Sequence, residues 1–224
     1  MNIDFAGQRV KMVDCQVRTT DVTNLPIITA MLEVPREEFV PDRFRAFAYI
    51  DEDVPLKDAR RGAVGRYLME SSPFAKLVQL ADITPSDVVL DVGVASGYSA
   101  AVLSKLCSQV IALESDAELA AAAGETLTRL GYDNVAVVEG ELKDGYAKAG
   151  PYDVIVFEGA VERTPDAFFA QLKDGGRLVV VEGLGNAARA NVYTKSGQNS
   201  SARHAFNAAI KPLPGFEVAH SFEF

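Results

Sequence analysis

The stretch VLDVGVASGYSAAVL, residues 89–103, limits the folds open to this chain more than any other part of it. An apolar run ending at Asp91 reads as a strand buried on both faces. Gly93, Ala95 and Gly97 then make a tight turn that runs straight into a helical pattern. Small residues belong where backbone must pass close to a bound group or a packed neighbour. The helix start beyond them offers N–H groups with no intrahelical partner. Strand, small-residue turn and helix together form the opening unit of a sheet whose strands are joined by helical crossovers.

The rest of the chain repeats that unit. Residues 87–92, 110–113, 135–138, 152–157 and 177–181 read as strands. Between them, Asp116 caps a helix with Leu119, Ala123, Leu127 and Leu130 on one face, ended by Gly131. Thr164-Pro165 opens another that runs to about Lys173. The expected fold is a doubly wound, mostly parallel α/β sheet, Rossmann-like in type, and 224 residues suffice for it. Residues 1–50 read as helical, with Asn24 capping a helix that Val34-Pro35 stops. Residues 51–70 carry Gly62, Gly65 and many charges and read as loop. Pro73 opens a helix that buries Leu77, Val78 and Ala81. Residues 189–224 read as a β-rich closure, with strands at 190–194 and 206–210. This divides the chain into an N-terminal helical extension with an acceptor-side loop, 1–72, and a nucleotide-binding α/β domain, 73–224.

Composition removes several classes of function. A net charge of −9 argues against nucleic acid as a partner, because phosphates need a basic face. Arg60, Arg61 and Arg66 make a small basic cluster that reads as a solvated loop. Only His204 and His220 are histidines, and no HExxH or paired CxxC occurs, so no metal site is expected. No apolar stretch approaches the roughly 18 residues that span a bilayer, and the N-terminus lacks a signal-peptide core. With Cys15 and Cys107 as the only cysteines, the expected compartment is the cytoplasm.

Two acids give the turn its chemistry. Asp91 precedes the first glycine, where it can accept from a ligand's amino group, and GxAxG is shorter than the GxGxxG of dinucleotide sites. Glu114 ends the second strand roughly 20 residues on, where a carboxylate bonds ribose hydroxyls. These features point to S-adenosylmethionine, with S-adenosylhomocysteine as product. The candidate cofactor residues are Asp91, Gly93, Ala95, Ser96, Gly97, Glu114 and Ser115. Glu141, after the third strand, either meets the adenine amino group or is a solvated loop acid.

Further segments carry a resemblance. MVDCQVR, VPREEFVP, Ala48-Tyr49, VLDVGVASGYSAAVLSKL, LTRLGYDNVAVVEG, YDVIVFEGA, QLKDGGRLVV and PLPGF together resemble the protein-L-isoaspartate O-methyltransferase family along nearly the whole chain. The resemblance implies a class I methyltransferase core, a protein or peptide acceptor, and methyl transfer to the carboxylate of damaged aspartyl residues. It also implies cofactor roles for Asp91, Gly93, Gly97 and Glu114, and supports one for Glu141.

The acceptor motif of that family, close to G-x-T-I-S-x-P, reads GRYLMESSP here. Ser71 and Pro73 keep its Ser and Pro, while Met69 and Glu70 replace Thr and Ile. Ser71 is thus either a catalytic-site residue on the acceptor side or a helix N-cap. Glu158 and Glu182 follow the fourth and fifth strands, where the family tends to carry a small or hydroxyl residue and Pro. With Glu70 they would set three carboxylates around one mouth, unless they pair with Arg60, Arg61 or Arg66. Like charges roughly 4 Å apart repel by about 4 kcal/mol at an effective dielectric near 20. That leaves three expectations: an isoaspartyl O-methyltransferase, a methyltransferase for an amine or other cationic acceptor, or a non-catalytic scaffold.

Overall fold

The computed structural model describes residues 3–59 and 64–218. Helix α1 (Phe5–Met12) runs on as a π-helical turn over Val13–Val17, and α2 (Leu25–Glu33) starts at Asn24, whose side chain accepts from the Ile27 N–H. Strands β1 (Val54–Lys57) and β2 (Arg66–Leu68) form an antiparallel pair inside the segment expected to be loop. The correction has a local cause. Both strands are short, Val54, Leu56, Arg66 and Leu68 alternate inward, and charged neighbours mask that period in the sequence.

Helix α3 (Ser71–Ala81) leads into the alternating part: β3 (Val88–Val92), α4 (Tyr98–Ser104), β4 (Gln109–Glu114), α5 (Ala117–Arg129), β5 (Val135–Glu139), β6 (Tyr152–Val161), α6 (Ala167–Ala170), β7 (Leu172–Glu182), β8 (Arg189–Ser196) and β9 (Asn199–Asn207). The last seven strands lie in one sheet, ordered β5-β4-β3-β6-β7-β8-β9. Pairing is parallel from β5 to β7 and antiparallel through β8 and β9. The expected doubly wound, mostly parallel sheet is therefore present.

Each face of the sheet has its own core. Val89, Val110, Ala112, Val154, Val156 and Val179 point to one side and share it with Met31, Phe39, Phe74 and Tyr98, so the N-terminal helices and the sheet bury one continuous cluster. Leu90, Val92, Ile111, Leu113, Ile155 and Phe157 point to the other, with Phe168 and Phe216. The even and odd positions of each strand are thus both apolar, which is why these strands read as unbroken hydrophobic runs.

The segment VPREEFVP serves this packing. Arg36, fully buried, donates to the carbonyls of Ala48 and Met69 at 2.7 Å each, and its guanidinium lies 4.8 Å from the centre of the Tyr98 ring. Burial holds that guanidinium below its ordinary pKa. Next to it, Glu37 accepts from Arg9 at 3.1 Å and from the Tyr49 hydroxyl.

At the C-terminal side, β8 contains the expected strand 190–194. The second strand is Asn199–Asn207 instead of 206–210. As the sheet's edge it needs no buried face, and its Ser, Arg and His residues hide it from a search for apolar period. Residues 211–213 return over the end of β6: the Ala160 N–H donates to the Lys211 carbonyl at 2.9 Å, and the Leu213 N–H to the Ala160 carbonyl at 2.8 Å.

Candidate active site

The strand order reverses at β3, which has β4 on one side and β6 on the other. A crevice at the carboxyl ends of these strands is where open α/β sheets bind ligands. Asp91, Glu114 and Glu158 all emerge there. Asp91 is paired with Val156 across the ladder, and although β6 shifts register against β7 between Val156 and Ala160, both of these face the Tyr98 side while Phe157 and Val161 face the other core, so Glu158 leaves on the Asp91 side, near enough for the two carboxyls to interact.

Asp91 is completely buried, and no hydrogen-bond donor satisfies either of its oxygens. Burial, with the Glu114 charge adding to it, pushes its pKa up to about 7; the nearby Ser99 hydroxyl and Glu158 carboxyl oppose this in part without closing a full hydrogen bond. The hydroxyls of Ser96 and Ser99 are likewise enclosed and unpartnered, as is Glu158 Oε1. Burial and then the Asp91 charge raise Glu158 well above the carboxylate range.

Glu114 is the opposite case. It accepts from the Ala95 N–H at 2.8 Å, the Ser115 N–H at 2.9 Å and the Asp116 N–H at 3.0 Å. Arg66 grips both of its oxygens, with Nη2 at 2.8 Å from Oε2, and Nη2 also donates to the Gly93 carbonyl at 3.0 Å. Arg66 is only 5% exposed, which corrects its reading as a solvated loop residue. Its guanidinium closes the glycine turn from above.

Gly93 and Gly97 have φ of +83° and +89°, and Ala95 has +48°. A Cβ on Gly93 would sit 2.6 Å from Leu213 Cδ2. Gly93→Ala combines backbone strain with that clash, so we expect a loss of about 2 kcal/mol, read as a lower urea midpoint with unchanged slope.

The remaining candidates lie further out. Ser115 borders Glu114 and is part-buried. Glu141 is exposed at the end of β5, where the Gly140 N–H donates to the Glu114 carbonyl at 3.0 Å. Ser71 is buried as the first residue of α3 and donates to Gln16 Oε1 at 2.6 Å, so the N-cap position falls to Glu70 and the serine hydroxyl is not a cap.

The expected ring of three carboxylates does not form. Glu182 accepts from Thr164, Asn191 and Tyr193; burial alone would raise its pKa, but these bonds outweigh it and hold it below the usual range. The Glu70 pKa is raised, by burial first and then by Asp51 and Asp53. Arg60 and Arg61 lie outside the described residues. Glu158 alone of the three lines the interior. It borders a cavity of about 10 Å³ under the glycine turn, with Met69, Phe74, Tyr98 and Ser99, and a second of about 10 Å³ with Asp53, Arg66 and Lys211. Each has room for about one water.

Orphaned buried carboxyl and hydroxyl oxygens beside glycine backbone fit a ligand that brings an ammonium group and donors, as S-adenosylmethionine does. Asp91 would hold its amino group, and Glu114 its ribose hydroxyls where Arg66 now lies. Among the described residues no group of His, Cys, Asp and Glu is placed to hold a metal, and no helix is long and apolar enough to cross a membrane.

Fold and site together define a ligand-binding α/β protein of the methyltransferase type. The family model for protein-L-isoaspartate(D-aspartate) O-methyltransferase matches residues 8–211. A protein-L-isoaspartate O-methyltransferase of Koribacter versatilis is 39% identical over 179 residues, 80% of this chain and 78% of that one. A protein-L-isoaspartate O-methyltransferase 2 of Shewanella sediminis is 38% identical over 222 residues, 98% of this chain and 88% of that one. A solved protein-L-isoaspartate O-methyltransferase superposes with a TM-score of 0.81 at 27% identity, covering 92% of this chain and 66% of that one. The chain belongs to the protein-L-isoaspartate O-methyltransferase family, whose members are S-adenosylmethionine-dependent methyltransferases.

Proposed function

We propose that this chain transfers a methyl group from S-adenosylmethionine to the carboxylate of isoaspartyl residues in proteins or peptides. The observation that carries the reading is the set of unsatisfied buried oxygens on Asp91, Ser96 and Ser99 around the glycine turn, at the sheet's switch point, in a member of this family. The cofactor supplies a methyl group activated on a sulfonium. Asp91 binds its amino end, Glu114 its ribose hydroxyls after Arg66 yields them, and Glu141 the adenine side, with Ser96 and Ser115 flanking.

A carboxylate acceptor is already ionised and needs no general base, so the chain's task is to hold it in line and keep water out. The outer cavity carries Lys211 and Arg66 beside Asp53 and Glu158, and with Arg66 engaged by Glu114 it is Lys211 that is offered to an anionic acceptor. Glu182 and Glu70 lie away from that lining, so two of the three glutamates that motivated an amine acceptor are absent from it. Ser71 acts as a positioning residue, tying the start of α3 to Gln16.

Calorimetric titration with S-adenosylmethionine and S-adenosylhomocysteine, followed by labelled methyl transfer to an isoaspartyl peptide and its aspartyl counterpart, tests this. Micromolar binding and isoaspartyl-selective labelling are expected. Folded protein that binds neither ligand overturns it.

A further inference from the structure

Glu158 is the one carboxylate that lines both interior cavities, and it leaves β6 on the face from which Asp91 leaves β3. The two carboxyls carry three oxygens without a hydrogen-bond partner, beside the unpartnered Ser99 hydroxyl. Neighbouring carboxyls in a closed site do not both ionise unless a cation joins them. The cations at hand do not: Arg66 is committed to Glu114 and the Gly93 carbonyl, and the Lys211 ammonium, on the cavity that Glu158 also lines, lies over the Tyr67 ring.

We propose that Asp91 and Glu158 form a proton-sharing pair in which Asp91 meets the ammonium common to both forms of the ligand and Glu158 is the cation subsite for the sulfonium, selecting it over the uncharged sulfur of the thioether product. This rests on the proposed cofactor and assigns Glu158 the discrimination between its two forms. Without ligand the pair retains a proton, consistent with the upward displacement of both carboxyls. The ammonium of either ligand leaves that proton on Glu158; when a sulfonium enters, Glu158 ionises as well and the proton goes to solvent. The charged and titratable groups around the pair are Tyr98 from α4, Glu114 from β4, Arg66 and Tyr67 from β2, Asp53 ahead of β1, and Lys211 from the C-terminal segment.

The test is calorimetry of S-adenosylmethionine and S-adenosylhomocysteine on wild type and Glu158→Gln, in buffers of different ionisation enthalpy from pH 6 to pH 8. For the wild type, sulfonium binding should release about one proton, so affinity climbs by up to about tenfold per pH unit while the pair titrates. The Glu158→Gln variant should lose that release, and its preference for sulfonium over thioether should fall by about tenfold or more.

Thermal melts of both ligand-free proteins give a second readout. A carboxyl whose folded pKa is raised is destabilising once pH passes its unfolded value near 4, and the penalty grows until pH reaches the folded value. The wild-type melting temperature should therefore fall more steeply than the variant's between pH 5 and pH 7. Sulfonium binding without proton release, or an unchanged ligand preference in Glu158→Gln, overturns the inference and leaves the cofactor reading standing. Failure of folded wild type to bind either ligand overturns both, and parallel melting profiles count against the shared proton by themselves.

Discussion

Arg66→Met is expected to lower the unfolding free energy by about 3 kcal/mol, a drop of roughly 6–12 °C in melting temperature. The pair it breaks is enclosed on both sides, with side-chain exposures of 6% for Arg66 and 0% for Glu114. Glu114 would keep its three backbone N–H donors, which places the loss at the lower end of the range for broken buried pairs. Adding Glu114→Gln should restore about 2 kcal/mol of it, because the stranded charge goes with the carboxylate. Urea unfolding of the two single variants and the double variant closes the cycle, and additive losses would mean that the contact is energetically idle. The single Arg66→Met variant should also bind S-adenosylmethionine more tightly than wild type, since nothing then competes for Glu114. Weaker binding would show that Arg66 serves the ligand as well as the empty site.

Arg36→Ala is expected to be at least as damaging, about 3–5 kcal/mol. It strands the buried carbonyls of Ala48 and Met69 and opens a void beneath Tyr98. Lysine should rescue little, because a single ammonium cannot reproduce a planar fork that serves two carbonyls and stacks on a ring. The check is the urea midpoint of Arg36→Ala against Arg36→Lys. Because Met69 lines both interior cavities, the alanine variant should also loosen ligand binding at temperatures where it remains folded.

What the sequence revealed follows from the range of the forces involved. The glycine turn was legible because its strand, its small residues and its helix are contiguous, and so was the parallel sheet, whose doubly buried strands are continuous apolar runs. Arg66 was not legible. It stands 48 positions before Glu114, in a three-residue strand surrounded by charge, and only the fold brings the two together. Glu158 and Asp91 were each singled out from the sequence, but not as a pair. That Asp91 and Glu158 share a face emerges only once β3 and β6 are known to be neighbours and the side of each β6 residue across its register shift is known. Glu182 was misplaced for the converse reason: its position at a strand end is local, but the three donors that occupy it come from elsewhere in the chain.

Residues 211–213, which fold back over β6 and set Leu213 against Gly93, come later in the chain than the nine strands found among the described residues. The enclosure that gives the buried acids their unusual chemistry is therefore completed by a segment that follows the described strands in the sequence, not by the sheet itself.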